Sequence, residues 1–209
     1  EQGYVEYITS IEDIPLDSGD WLILARTNYR LKNLVPQLKE RGLYFEIKNR
    51  KSYRTRLYRS IQDYTRWTNG AKLSLSECKD LFEFLELNKE LKDERMYDLK
   101  EFGYSFTDDW YQVFKSDPEE CLYIREMTRN KEKLSQDPRI KLSTIHAAKG
   151  GEATNVLIIL DNTKKIREAI EKNQDKYDEE QRVWYVGVTR TKQNLYIMAA
   201  KKEDKGYDI

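Results

Sequence analysis

The sequence predicts an α/β protein, a parallel sheet flanked by helices and interrupted by a helical insertion. Three observations carry this reading. Residues 21–25 read WLILA and residues 156–160 read VLIIL, and continuous apolar runs of that length are what strands buried on both faces of a parallel sheet require. Between residues 49 and 138 the pattern changes to apolar stripes at helical spacing, with no such run. Although 35% of the residues are charged, 15 Tyr, 6 Phe and 4 Trp supply the apolar bulk for a core, so the chain is not disordered.

In chain order, Tyr4 to Ile11 alternates loosely as a leading strand, and the Ser18-Gly19-Asp20 turn precedes WLILA. Asn28 is placed to cap a helix carrying Leu31, Leu34, Val35 and Leu38, which stops at Gly42. Pro36 predicts a kink or a later start, since it removes a backbone donor. A strand from Leu43 to Ile47 completes a right-handed βαβ unit. Inside the insertion, Leu57, Ile61 and Tyr64 mark one helix. Ser74 with Glu77 forms a capping box that opens another, striped by Cys78, Leu81, Phe82 and Leu85. Further helices are expected near 110–114 and 119–129. The sheet resumes with a strand over 140–145, a loop over 146–152, VLIIL, a polar helical stretch within 161–176 and a last strand over 195–199. Asp178 is placed to cap a helix before that strand, with Glu179 and Glu180 in its first turn and Gln181 completing a capping box. The expected division is 1–49 with 139–209 for the sheet domain and 50–138 for the insertion.

At 37 basic and 37 acidic residues the net charge is zero, so any nucleic-acid contact is local rather than driven by an overall field. Cys78 and Cys121 lack metal-ligand spacing and read as buried, reduced thiols. No apolar run approaches membrane-spanning length and no signal-peptide pattern opens the chain, which leads to the expectation of a soluble cytoplasmic protein with no membrane partner. The chain starts at Glu1 without Met, and a fragment of something longer is expected. Asp161 follows VLIIL and imitates a magnesium-binding aspartate, but the chain has no GxxxxGK[ST] phosphate loop, and Lys149-Gly150 is in the reverse order.

Two stretches concentrate the chemistry, KLSTIHAAKGGE at 141–152 and DEEQRVWYVGVTRT at 178–191. Down the second, Val183, Val186 or Gly187, and Arg190 recur at helical spacing, delivering a guanidinium to one end of the helix. Gly187 costs roughly 0.5–1 kcal/mol inside a helix, which predicts close approach of a backbone or ligand there. STIHAAKGGE resembles motif V, EEQRVWYVGVTR resembles motif VI, and LILARTN at 22–28 is similar to motif IV of superfamily 1 DNA helicases of the UvrD/Rep type. The three motifs stand in the family's order and cover about a fifth of the chain.

The resemblance implies a RecA-like fold, the second motor domain of an ATP-dependent helicase whose first, N-terminal RecA-like domain holds most of the ATP and Mg2+. It implies that Arg190 and Arg26 reach the γ-phosphate, that Glu152 accepts from the ribose, and that Gly150 and Gly187 lie at the nucleotide. Thr144, His146 and Lys149 are the implied single-stranded DNA contacts, with 3′ to 5′ translocation. Ala25 stands where the family has an aromatic residue, and Gly151 and Ala153 replace bulky residues around Glu152. Without Walker A and B motifs the chain alone is not expected to hydrolyse ATP. The run NRKSYRTRLYRS at 49–60 interleaves arginines with Tyr53 and Tyr58. Arg54 and Tyr53 are DNA-contact candidates there, and a solvated helix face is the alternative. A non-catalytic nucleic-acid-binding module with the same fold remains the second functional reading.

Overall fold

The computed structural model describes residues 3–103, 109–148 and 150–199. The chain divides into two compact units, Glu1–Ser52 with Glu132–Ile209, and Tyr53–Lys131.

The first unit holds β1 (Val5–Ile8), β2 (Trp21–Ala25), α1 (Asn28–Glu40), β3 (Phe45–Ile47), β4 (Arg50–Lys51), and the later strands β5 (Ile140–Thr144), β6 (Ala153–Leu160) and β7 (Thr191–Ala199). The seven strands form one sheet in the order β1-β7-β6-β2-β5-β3-β4. Every pairing is parallel except β3 with β4. Each residue of β2 is buried, because β2 lies inside the sheet between β5 and β6. WLILA is therefore apolar without alternation for the reason the sequence suggested.

α1 buries Leu31, Leu34 and Leu38. Its N-cap is Thr27 rather than Asn28, and Thr27 makes no side-chain cap bond. The helix continues through Pro36. Pro36 and Lys32, whose carbonyl loses its donor, both lie on the exposed side where water replaces the missing bond. Gly42, at φ 62°, ends the helix. Its N–H donates to Lys39 O while Leu43 N–H donates to Leu38 O at 3.1 Å, the paired bonds of a Schellman turn. Lys48 and Asn49 follow β3 with φ of 53° and 57°, the signature of a two-residue hairpin turn. That hairpin keeps Arg50, Lys51 and Ser52 in the sheet unit, three residues beyond the expected boundary.

The second unit is built from α2 (Thr55–Thr68), α3 (Leu75–Leu85), α4 (Trp110–Val113) and α5 (Pro118–Arg129). The capping box of Ser74 and Glu77 forms as the sequence indicates. Leu57, Ile61, Tyr64 and Trp67 of α2 are buried, as are Cys78, Leu81, Phe82 and Leu85 of α3. The arginines of this unit are largely committed to carboxylates. Arg56 bonds Asp80 and Glu83, Arg66 bonds Asp63 and Glu77, and Arg95 bonds Glu101.

The remaining helices, α6 (Lys164–Lys172) and α7 (Gln174–Val188), connect β6 to β7. No helix among the described residues is long and apolar enough to cross a membrane.

Burial, with Glu77 and Asp63 nearby, pushes the Cys78 thiol up to about 11, and burial also raises Cys121. Both thiols are accordingly protonated and shielded at pH 8. A thiol-exchange reagent at that pH is expected to label neither in the folded protein and both after denaturation; rapid labelling of native protein would contradict the packing described.

Candidate functional site

Parallel strands set the level of every loop. Ala25 is opposite Thr144 in β5 and Ile159 in β6, and Ile159 is opposite Met198 in β7. Arg26, His146 and Asp161 therefore follow their strands at the carboxyl edge of the sheet. Ala153 is paired with Thr191 at the start of β6 and β7, and Ala153 N–H donates to Arg190 O at 3.1 Å. Glu152 and Arg190 are consequently neighbours at the amino edge. β6 rises seven residues between Ala153 and Leu160. At about 3.3 Å each, the two edges stand roughly 23 Å apart.

This placement corrects one expectation. Arg26 and Arg190 lie at opposite edges, so they do not converge on one phosphate. The loop over 145–152 likewise does not belong wholly to the carboxyl edge, because it must carry the chain from the end of β5 back to the start of β6.

At the carboxyl edge, Arg26 Nε donates to both oxygens of Glu180 at 2.8 and 3.1 Å. The Glu180 carboxylate is 5% exposed and the Arg26 side chain 22%. Arg26 Nη1 lies 3.4 Å from His146 Nδ1. Arginine only donates, so Nδ1 accepts and the imidazole proton sits on Nε2, pointing its donor elsewhere. A cleft of 470 Å³ opens beside this cluster, lined also by Lys176, Arg182 and Val183. Thr144 closes β5, and its Oγ1 accepts from Ala147 N–H at 3.3 Å. Thr144, Ala147, Asn28 and the hairpin residue Lys48 line another cleft of 500 Å³.

At the amino edge, Arg190 Nε donates to Val186 O at 3.0 Å and Nη2 to Thr189 Oγ1 at 3.4 Å. The guanidinium thus rests on the carbonyl end of α7, where the helix dipole favours a cation. Among the described residues it has no carboxylate partner. Glu152 is exposed, and Gly150 holds φ 79° with open space around its α-carbon.

α7 connects these edges, and its start differs from expectation. Asn173 caps it, its side chain accepting from Asp175 and Lys176 N–H. Asp178 is an interior residue accepting from Gln174, and Gln181 donates to Tyr177 rather than closing a capping box. Arg190 lies two residues beyond the helix end. Gly187 is buried, and an added Cβ would stand 3.4 Å from Ile158 Cδ1 and 3.5 Å from Ile145 Cδ1. The close approach expected at Gly187 is therefore made to the sheet core, where Trp184 is also buried; a nucleotide contact there has no support from its position.

Two other expectations change. Asp161 is buried and ion-paired with Arg30 of α1, which accounts for the carboxylate without a metal. Tyr53 is 6% exposed and meets Tyr58 edge-on at 5.3 Å, so its ring face is not offered to a base. Arg54 is exposed and its backbone N–H donates to Glu120 Oε1 at 2.8 Å. Lys149 lies outside the described residues. Sequence reasoning missed Glu180 as a partner of Arg26. The only signal was its place next to the exposed Glu179, one residue round the helix towards the core.

The family model of the UvrD-like helicase C-terminal domain matches residues 32–202. No curated protein matches the chain. Thr144, His146, Glu152, Glu180 and Arg190 fall within the match, and Arg26 precedes it.

Gly187→Ala places a methyl in ordinary van der Waals contact and gains helix propensity. We expect it to stabilise the fold by about 0.5 kcal/mol or leave it unchanged, whereas Gly150→Ala is expected to cost about 1 kcal/mol through its left-handed backbone. Thermal melting of the two variants checks both signs.

Proposed function

Because the chain belongs to the UvrD-like helicase C-terminal domain family, we propose that it serves as the second RecA-like motor domain of an ATP-dependent DNA helicase, with the two sheet edges dividing the work. The amino edge faces the nucleotide and the carboxyl edge faces single-stranded DNA. The observation that carries this reading is the Ala153 N–H to Arg190 O bond, which sets Glu152 beside Arg190.

Phosphoryl transfer spreads negative charge over the γ-phosphate oxygens, and a guanidinium supplied from a second domain stabilises it. Arg190 suits that role, since Nε and one Nη group are already anchored and the helix end fixes their direction. Glu152, one residue before the paired Ala153, is placed to accept from a ribose hydroxyl. The donor set here fits only the outer part of a nucleotide. No phosphate loop is present, so an N-terminal RecA-like domain would hold ATP and Mg2+, the metal neutralising charge on the phosphates.

On the other edge, Arg26, Thr144 and His146 offer donors suited to phosphate oxygens. Lys149 belongs to the same loop and is proposed as a DNA contact on the motif match alone. Assigning Arg26 to DNA replaces the γ-phosphate role that the motif match implies. Arg54 is exposed enough to touch a backbone phosphate, a lesser contact on the helical unit. Closure on ATP would bring Arg190 to the phosphate, and reopening after hydrolysis would let the strand advance, 3′ to 5′ by the motif match, in the cytoplasm.

DNA-stimulated ATP hydrolysis by the full-length protein tests this. Arg190→Ala is expected to lower turnover by on the order of 10³-fold or more while nucleotide binding persists. Unchanged turnover would favour a non-catalytic binding module.

A further inference from the structure

We propose that Glu180 is the positioning residue for Arg26, and that this buried pair turns the cleft beside His146 into a preoriented phosphate contact for single-stranded DNA; the inference rests on the edge assignment above. Glu180 lies in the second turn of α7 and is 4% exposed. Its neighbour Glu179 is exposed and bonds only the nearby Lys176 at 2.7 Å. The two adjacent carboxylates thus have different environments, and only Glu180 reaches across to another element of the sheet.

The geometry divides the guanidinium. Nε is taken by both Glu180 oxygens and Nη1 faces His146. Nη2 has no partner among the described residues, and Arg26 itself lines the cleft together with Lys176 and Arg182. An arginine held on its Nε side presents its Nη side to an incoming oxyanion in a fixed direction.

Two effects of Glu180 oppose each other. Its charge repels a phosphate, but from the far side of the guanidinium and across a cleft open to salt. Its hydrogen bonds remove the rotamer freedom that a loose arginine would lose at each binding event, an effect of about tenfold in affinity. The positioning effect is the larger. Glutamine does not substitute, because its amide group opposes one donor with another where Nε now meets two acceptors.

Equilibrium binding of a fluorescent single-stranded oligothymidylate to the full-length protein, at fixed salt, tests the proposal. Arg26→Lys and Glu180→Gln are each expected to weaken binding about tenfold. The combined variant should be no weaker than the worse single one, since both changes remove one unit. Wild-type or tighter binding by Glu180→Gln overturns the proposal, as do additive losses. If Arg26→Lys binds like wild type, the edge assignment fails and takes the proposal with it, which separates the two failures. Should Glu180→Gln melt below the assay temperature, Glu180→Asp keeps the charge, falls short of Nε and gives the same readout.

Discussion

Parallel pairing of β2 with both β5 and β6 obliges each connection to return the chain from one edge of the sheet to the other. Most such returns use a helix, as α1 does between β2 and β3. Between β5 and β6 only residues 145–152 are available, and they cross over β2 to do it. One end of that loop therefore sits beside Arg26 and the other beside Arg190. Ile145 and Ala148 pin its middle into the core with Trp184. The same constraint runs through α7, which descends from Glu180 at one edge to Arg190 at the other, about 15 Å of helix at 1.5 Å per residue.

The helical unit makes its own core around Trp67, Phe82 and Phe102, whose rings pack tilted or edge-on at 5.1 to 5.8 Å. Its arginines face carboxylates on neighbouring helices, and Arg56 also lies 5.5 Å over the Phe84 ring. A basic run in sequence is here largely a set of local pairs. Such exposed pairs contribute little stability each, yet they occupy the donors that an extended phosphate track would need.

The strands that build the middle of the sheet were legible because burial on both faces leaves no room for polar residues in WLILA or VLIIL. The capping box at Ser74 was legible for an equally local reason. What the residues alone could not show was the level at which each loop residue stands, since that depends on the register between strands far apart in sequence. Arg26 and Arg190 looked alike as exposed-motif arginines and separated only once Ala25 was aligned with Ile159 and Ala153 with Thr191. The start of α7 was misread because Asp178 and Asn173 are both good caps, and the polar stretch before Asp178 has no apolar face to announce a helix. Glu180 was hidden for a related reason. A glutamate near a helix start already has a sufficient explanation in the dipole, so nothing pointed to a partner 154 positions away.

The most direct measurement of the divided sheet is hydrogen–deuterium exchange of the full-length protein, comparing a bound oligothymidylate with a bound non-hydrolysable ATP analogue. The account predicts that the oligonucleotide slows exchange over residues 26–28 and 144–148, and that the nucleotide slows it over 150–153 and 188–191. Protection of both sets by the same ligand alone would contradict it, placing Arg26 and Arg190 at one site despite the register of the sheet.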